Sequence, residues 1–254
     1  MNKTGIEWVK NPDGSQGYTW NPITGCLNGC EYCYARKLAN GRLRNVYLAN
    51  SNFPPAIEGT HLRAKACNDP FYPRFWEERC LADTVNLKTP KGVFVCDMGE
   101  LFGDWIPLEW QEMIFRTIKR NPQHRFYLLT KQPQNLIKFS PFPSNAWVGV
   151  TATDEVMFAA AHFHLVNIEA LVKYVSLEPL LKWDGRATEA MIHQATQAGV
   201  SWLIIGAQTK PLRLPELEAV RGIEAAAKRE GIAVFLKNNL KPLFGASLCQ
   251  EYPL

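Results

Sequence analysis

Short β-rich apolar runs recur along this chain, each followed by a turn and a stretch of helical periodicity. That alternation restricts the fold more than any other feature. The clearest runs are Gly92–Val95, Arg125–Leu129, Ala146–Val150, Val172–Ser176 and Ser201–Ile205; Tyr18–Asn21 precedes them and Ile232–Leu236 offers a seventh. Each is apolar on both sides, as expected of strands whose two faces are covered in a parallel sheet. Helical stretches fill the gaps. From Pro107 to Arg120, Trp110, Met113, Ile114 and Ile118 form an i, i+3, i+4, i+8 stripe, with proline at the start, where a missing N–H costs nothing. Asp154 and Asp184 are placed to cap helices ending near His164 and Gln197, and Pro215 to open one ending before Gly231. The expected fold is therefore α/β, with a parallel sheet either doubly wound or curled into a full or partial barrel.

The region 41–91 breaks this rhythm. It is rich in turn residues (Asn50-Ser-Asn-Phe-Pro-Pro55), with one helix predicted near Phe75–Leu81. It reads as an insertion between the first and second strands, packed over the mouth of a barrel. At 254 residues the chain fits one domain spanning 1–254, a size that α/β barrels reach undivided.

Composition narrows the class. Apolar residues make up 46% and charged residues 20%, an ordinary globular balance that can fill a core. No apolar run is long enough to span a bilayer, and Met1-Asn-Lys-Thr-Gly-Ile lacks the apolar stretch of a secretion signal. Seven cysteines, an odd number with three clustered, argue for a reducing compartment over a disulfide framework. The expected location is cytoplasmic, with no membrane partner. The net charge of +4 is unevenly placed: from Tyr34 to Cys80 there are eight Lys/Arg against four Asp/Glu, and no acid lies between Glu31 and Glu58. Such a basic rim suits a solvated helix face or an anionic partner such as a phosphate backbone.

The clustered cysteines are Cys26, Cys30 and Cys33, within Gly25-Cys-Leu-Asn-Gly-Cys-Glu-Tyr-Cys-Tyr-Ala35. Three thiolates from one loop stop one short of a closed four-ligand site. A structural iron–sulfur cube uses four cysteines; one held by three keeps an iron open to another ligand. A zinc site is the alternative, with His61 or Cys67 as fourth ligand. Cys67, Cys80 and Cys249 show no ligand spacing among themselves, and Cys96 reads as core. His162, His164 and His193 read as core or surface, as do most tryptophans, with Trp76 and Trp105 as candidates to line a substrate mouth.

Active groups in parallel α/β folds gather at the carboxyl ends of strands. Here those ends read Cys96-Asp-Met-Gly-Glu-Leu-Phe102, Thr130-Lys-Gln132, Thr151-Ala-Thr-Asp154, Ser176-Leu-Glu-Pro179, Gly206-Ala-Gln-Thr209 and Lys237-Asn-Asn239. Together with the cysteine loop they would line a polar crater.

The pattern Cys-x-x-x-Cys-x-aromatic-Cys, here Cys26, Cys30, Tyr32 and Cys33, resembles the signature of the radical S-adenosylmethionine (SAM) superfamily. Thr19-Trp-Asn-Pro22, Cys33-Tyr-Ala35, Met98-Gly-Glu-Leu-Phe102, Leu129-Thr-Lys131, Gly149-Val-Thr151 and Val175-Ser-Leu-Glu-Pro-Leu180 look like those of a family with a radical SAM core found in phages and bacteria. The resemblance runs from about Thr4 to Leu240. It implies a partial (βα)6 TIM-like barrel, to which the residues add that insertion and a possible seventh strand, and two cofactors, a 4Fe–4S cluster and SAM. One-electron cleavage of SAM would give a 5′-deoxyadenosyl radical that abstracts hydrogen from a substrate. Cys26, Cys30 and Cys33 would hold the cluster and Tyr32 would lie near the adenine. Met98-Gly99-Glu100, or Asp97, would take the methionine amino group. Thr151, Thr153, Ser176 and Glu178 would take the ribose hydroxyls or the methionine carboxylate, and Lys131 a carboxylate or substrate anion. Gly206 opens a strand-end turn in which Gln208 stands where the family carries an acid.

An electron donor such as flavodoxin or ferredoxin is the implied partner. The favoured substrate is a nucleobase in phage or bacterial nucleic acid, since the basic rim is interleaved with Phe53, Phe71, Tyr72, Phe75 and Trp76. The alternatives are a radical SAM enzyme acting on a peptide or small metabolite, and a non-catalytic zinc-bearing nucleic-acid-binding module.

Overall fold

The computed structural model describes residues 1–81, 87–245 and 247–253. Residues 82–86 of the expected insertion lie outside them. The fold is mixed α/β with a largely parallel central sheet of eight strands. These are β1 (Asn2–Lys3), β2 (Tyr18–Trp20), β3 (Gly92–Val95), β4 (Arg125–Thr130), β5 (Ala146–Thr151), β6 (Val172–Leu177), β7 (Val200–Ile205) and β8 (Ala233–Leu236). All seven runs read from the sequence are strands, with ends shifted by at most a residue. The addition is β1, two residues with no period to recognise. The chain divides into two compact units, Met1–Gly5 with Val9–Leu128, and Ile6–Trp8 with Leu129–Leu254.

In the first unit β1 runs antiparallel to β2, β2 parallel to β3 and β3 parallel to β4. Between β2 and β3 lie α1 (Tyr34–Asn40), α2 (Arg44–Leu48), α3 (His61–Asn68) and α4 (Glu77–Leu81), and α5 (Leu108–Arg120) follows β3. The predicted helix near Phe75–Leu81 is α4. The helices α2 and α3 were not expected: α3 buries only Ala66 and so has no apolar stripe to announce it. A short antiparallel pairing of Ile23–Thr24 with Arg74–Phe75 ties the insertion to the segment after β2. Arg74 is 0% exposed and organises the insertion. Its guanidinium donates to the carbonyls of Asn50 (2.8 Å), Asp69 (2.9 Å), Tyr72 (2.8 Å) and Ala66 (2.8 Å) and lies over the Phe53 ring.

In the second unit β5, β6, β7 and β8 are parallel in chain order. The helices are α6 (Glu155–Leu165), α7 (Thr188–Gln197) and α8 (Leu217–Arg229). Asp154 caps α6 as expected, accepting from Met157 N at 2.8 Å. Asp184 does not cap α7, which begins after Ala187; its carboxylate accepts from Arg186 N in the preceding turn instead. Successive helices pack on one another, α6 on α7 and α7 on α8. Within each unit strand order follows chain order, without the reversal that a doubly wound sheet needs. Among the described residues no helix is long and apolar enough to cross a membrane.

Candidate functional site

The cysteine loop leaves β2 and is held on two sides by backbone. Gly25 N donates to Met98 O (2.9 Å), Glu100 N to Gly25 O (3.3 Å) and Cys26 N to Phe71 O (3.0 Å). Gly25 has φ +90°, and a Cβ there would sit 2.4 Å from the Tyr72 carbonyl oxygen. Only glycine fits that left-handed, crowded position. Gly25→Ala is therefore expected to cost about 3 kcal/mol, read as a drop in the chemical denaturation midpoint with an unchanged slope.

Cys26, Cys30 and Cys33 are all half-buried, and all seven cysteines are free thiols. Cys33 is the N-cap of α1, its Sγ accepting from Arg36 N at 3.3 Å, and Cys26 Sγ accepts from Asn28 N at 3.3 Å. Burial pushes the Cys26 thiol up to about 12 against the lowering effect of the Asn28 N–H, and Glu100, Cys30 and Cys33 add like-charge repulsion. A site of this composition gains from a positively charged occupant, because a cation reverses the local balance. Among the described residues no three His, Cys, Asp or Glu side chains are arranged to hold a single metal ion. The thiolates of a cube do not share an ion, since each binds its own iron.

The tail after β3 turns back across this loop. Cys96 is buried, as the sequence suggested, and adopts φ +58°, a left-handed conformation rare outside glycine. It turns the chain so that Gly99 bridges Gly25 in parallel. Glu100 is buried and held: Oε1 accepts from Phe102 N (3.1 Å) and Oε2 from Asn28 Nδ2 (3.2 Å). Asp97 is gripped by Asn21 Nδ2 (2.6 Å) and by the Tyr34 hydroxyl (3.4 Å), while Asn21 Oδ1 accepts from Met98 N (3.0 Å). Asn21, within Thr19–Pro22, and Tyr34, within Cys33–Ala35, thus serve to hold this tail.

Burial raises the Asp97 carboxyl above its ordinary value, against the lowering effect of the Asn21 and Tyr34 hydrogen bonds. A folded pKa above the unfolded one means stability that is full at low pH and lost as pH rises through the folded value. Asp97→Asn removes that loss. It is expected to raise stability at pH 7, with the gain vanishing near pH 3, as measured by urea titrations at both pH values.

In the second unit, Thr151 and Ser176 are register partners at the ends of β5 and β6. Both are buried, and neither hydroxyl has a hydrogen-bond partner among the described residues. Thr153, also buried, donates to Met157 Sδ at 3.2 Å. Glu178, after β6, forms an ion pair with Lys237, after β8. The two side chains cross above Gly206, where a Cβ would lie 2.9 Å from Lys237 Cδ and 3.3 Å from Glu178 Cγ. Asn239 clamps Ala207, donating to its carbonyl (2.8 Å) and accepting its N–H (3.1 Å). The sequence shows Lys237 and Asn239 only as strand-end polarity, since nothing in their spacing links them to Glu178 or Ala207. Gln208 donates to Pro211 O at 3.0 Å within a local hairpin. Lys131 is half-buried at the end of β4, and Tyr32 half-buried in the cysteine loop.

One expectation is corrected. Phe53, Phe71, Tyr72 and Phe75 are buried and present no stacking platform to a nucleobase. Phe71, with Tyr47 and Met98, packs beneath Cys26 and Cys33, and Trp76 joins that cluster with its Nε1 on Thr24 Oγ1 at 2.8 Å. Of the basic residues in this stretch, Arg74 and Arg79 serve backbone carbonyls, while Lys37, Arg42 and Arg44 are exposed.

A family model described as "Protein of unknown function (DUF5131)" matches residues 3–241. No curated protein and no solved structure matches the chain.

Proposed function

We propose that this chain, which belongs to the DUF5131 family, is a radical SAM enzyme with its sheet curled into a partial (βα)6 barrel. The observation that carries the reading is the cysteine loop itself. Three half-buried thiols share one loop, two of them receive backbone N–H donors, and the Met98–Glu100 tail pins the loop through Gly25 and Gly99. That donor set fits a cluster held by three cysteines.

When bound, a 4Fe–4S cluster and SAM would supply a one-electron cleavage whose 5′-deoxyadenosyl radical takes hydrogen from the substrate. The chain's own residues bind, orient and tune. Cys26, Cys30 and Cys33 would be the ligands, and the Asn28 and Arg36 N–H donors would offset thiolate charge and so set the potential. Glu100, its orientation fixed by Phe102 N and Asn28, would accept an ammonium, with Asp97 as the other carboxylate in reach of that role. Tyr32 would pack against adenine. Thr151 and Ser176 offer uncommitted hydroxyls to a polar ligand, beside Thr153, Glu178, Gly206 and Lys131 as further contacts.

Oxygen-free reconstitution followed by metal and sulfide analysis tests the reading. The expected result is iron and sulfide in equal amounts and, after reduction with SAM present, release of 5′-deoxyadenosine. About one zinc per chain without sulfide would replace it with the zinc-bearing module. A flavodoxin- or ferredoxin-like donor would supply the electron in the cytoplasm.

For the substrate, exposed Lys37, Arg42 and Arg44 support nucleic acid. The buried aromatics weigh toward a peptide or small metabolite. Binding to single-stranded DNA or RNA is expected to weaken about tenfold or more between 50 and 200 mM salt if phosphates are contacted. Affinity indifferent to salt would select the alternative.

A further inference from the structure

Helix α6 departs from the usual amphipathic pattern. Its sequence, Glu155-Val-Met-Phe-Ala-Ala-Ala-His-Phe-His-Leu165, is apolar nearly all round, which in a globular protein marks a helix covered on every side. Only one face is covered: Phe158, Ala161 and Leu165 point into the second unit. On the opposite face, at i, i+4 and i+7, Val156 is 80% exposed, Ala160 is exposed and Phe163 is 63% exposed. Val166 at the helix end, Leu171 before β6 and Ile137 on the short helical turn Pro133–Phe139 packed against α6 are also more than half exposed.

We propose that this face is the interface of a symmetric dimer, covered by α6 of a second copy of the chain. Three observations favour a second copy over other occupants. Residues 155–165 contain no Lys or Arg, which a helix lying on an anionic membrane or along nucleic acid would need. Burying these side chains on both copies removes on the order of 1,000 Å² from water, the lower limit for a specific interface.

The face is also self-complementary. A two-fold axis passing between Ala159 and Ala160 sets Phe163 of one copy against Val156 of the other, with the alanines meeting at the centre, as an isologous contact requires. The same axis brings Glu155 opposite His164 and runs the helices antiparallel, with each dipole beside its opposite. This inference stands apart from the radical SAM reading and uses none of its residues.

Sedimentation velocity of the full chain tests it. A concentration-dependent monomer–dimer equilibrium is expected. Phe163→Glu, on the solvent side and so without effect on folding by circular dichroism, should weaken it at least 100-fold. The register predicts more: adding Val156→Lys to Phe163→Glu should recover at least tenfold of that loss, since opposite charges then meet across the axis. A wild-type chain that stays monomeric at 200 μM would overturn the proposal, as would a dimer indifferent to Phe163→Glu. Flotation of the wild type with vesicles of anionic lipid would also overturn it, giving the face to a membrane.

Discussion

Cys30→Ala is expected to leave the reconstituted protein with less than about a tenth of the wild-type iron and sulfide. 5′-Deoxyadenosine release should fall at least 1,000-fold, to background. The middle cysteine of the loop has no substitute nearby: Cys80 and Cys96 are buried elsewhere in the first unit, and Cys67 is exposed on α3. Two thiolates cannot hold a cube that three barely cap. The same logic supplies the control. Cys67→Ala and His61→Ala should keep full iron, because both side chains are exposed on α3 and matter only if a single ion recruits them as a fourth ligand. Metal loss in either control, with zinc bound in the wild type, would move the assignment to the zinc reading. Uptake should also steepen with pH, since Cys26 holds its proton to about 12 until a cation displaces it.

The second large effect is on stability. Arg74→Met is expected to cost about 4 kcal/mol, seen as a fall in Tm of roughly 10 °C for a chain of this size. The arginine's own desolvation cost disappears in the variant, which taken alone would favour it. What decides the sign is the carbonyls left behind: those of Ala66 and Tyr72 are buried and lose the arginine donor, and those of Asn50 and Asp69 are half-buried and lose one donor each. Unsatisfied buried acceptors cost about 1–3 kcal/mol apiece. Arg74→Lys should recover less than half, because one ammonium cannot reproduce the planar fork that reaches all four. Damage should spread to the cysteine loop, whose Cys26 N–H depends on the Phe71 carbonyl in the same segment. Reduced iron loading in Arg74→Met, measured on protein still folded at low temperature, would show that coupling.

The local signals and the tertiary contacts carried different parts of this structure. Strands β2 to β8 were legible because each concentrates apolar, β-branched residues between turn signals, and that pattern needs no partner to be recognised. The Asp154 cap and the α5 stripe were readable for the same reason, being interactions within a few residues. The insertion was misread in part because α3 is polar along most of its length and is held by Thr60 at its start and by Arg74 through the Ala66 carbonyl. Its aromatic residues looked like a binding surface, since composition cannot tell a buried ring from an exposed one.

The candidate ligands Cys26, Cys30 and Cys33 came from spacing alone, as three thiols on one loop must be neighbours. Asp97 with Asn21 and Tyr34, Glu100 with Asn28, and Glu178 with Lys237 lie up to 76 positions apart, so their pairing rests on strand register and crossovers. Residue order thus determined which strands form and where the clustered thiols stand. Only tertiary packing decided which polar groups face one another, because burial and long-range hydrogen bonds are properties of assembled surfaces and leave no periodic trace in the chain.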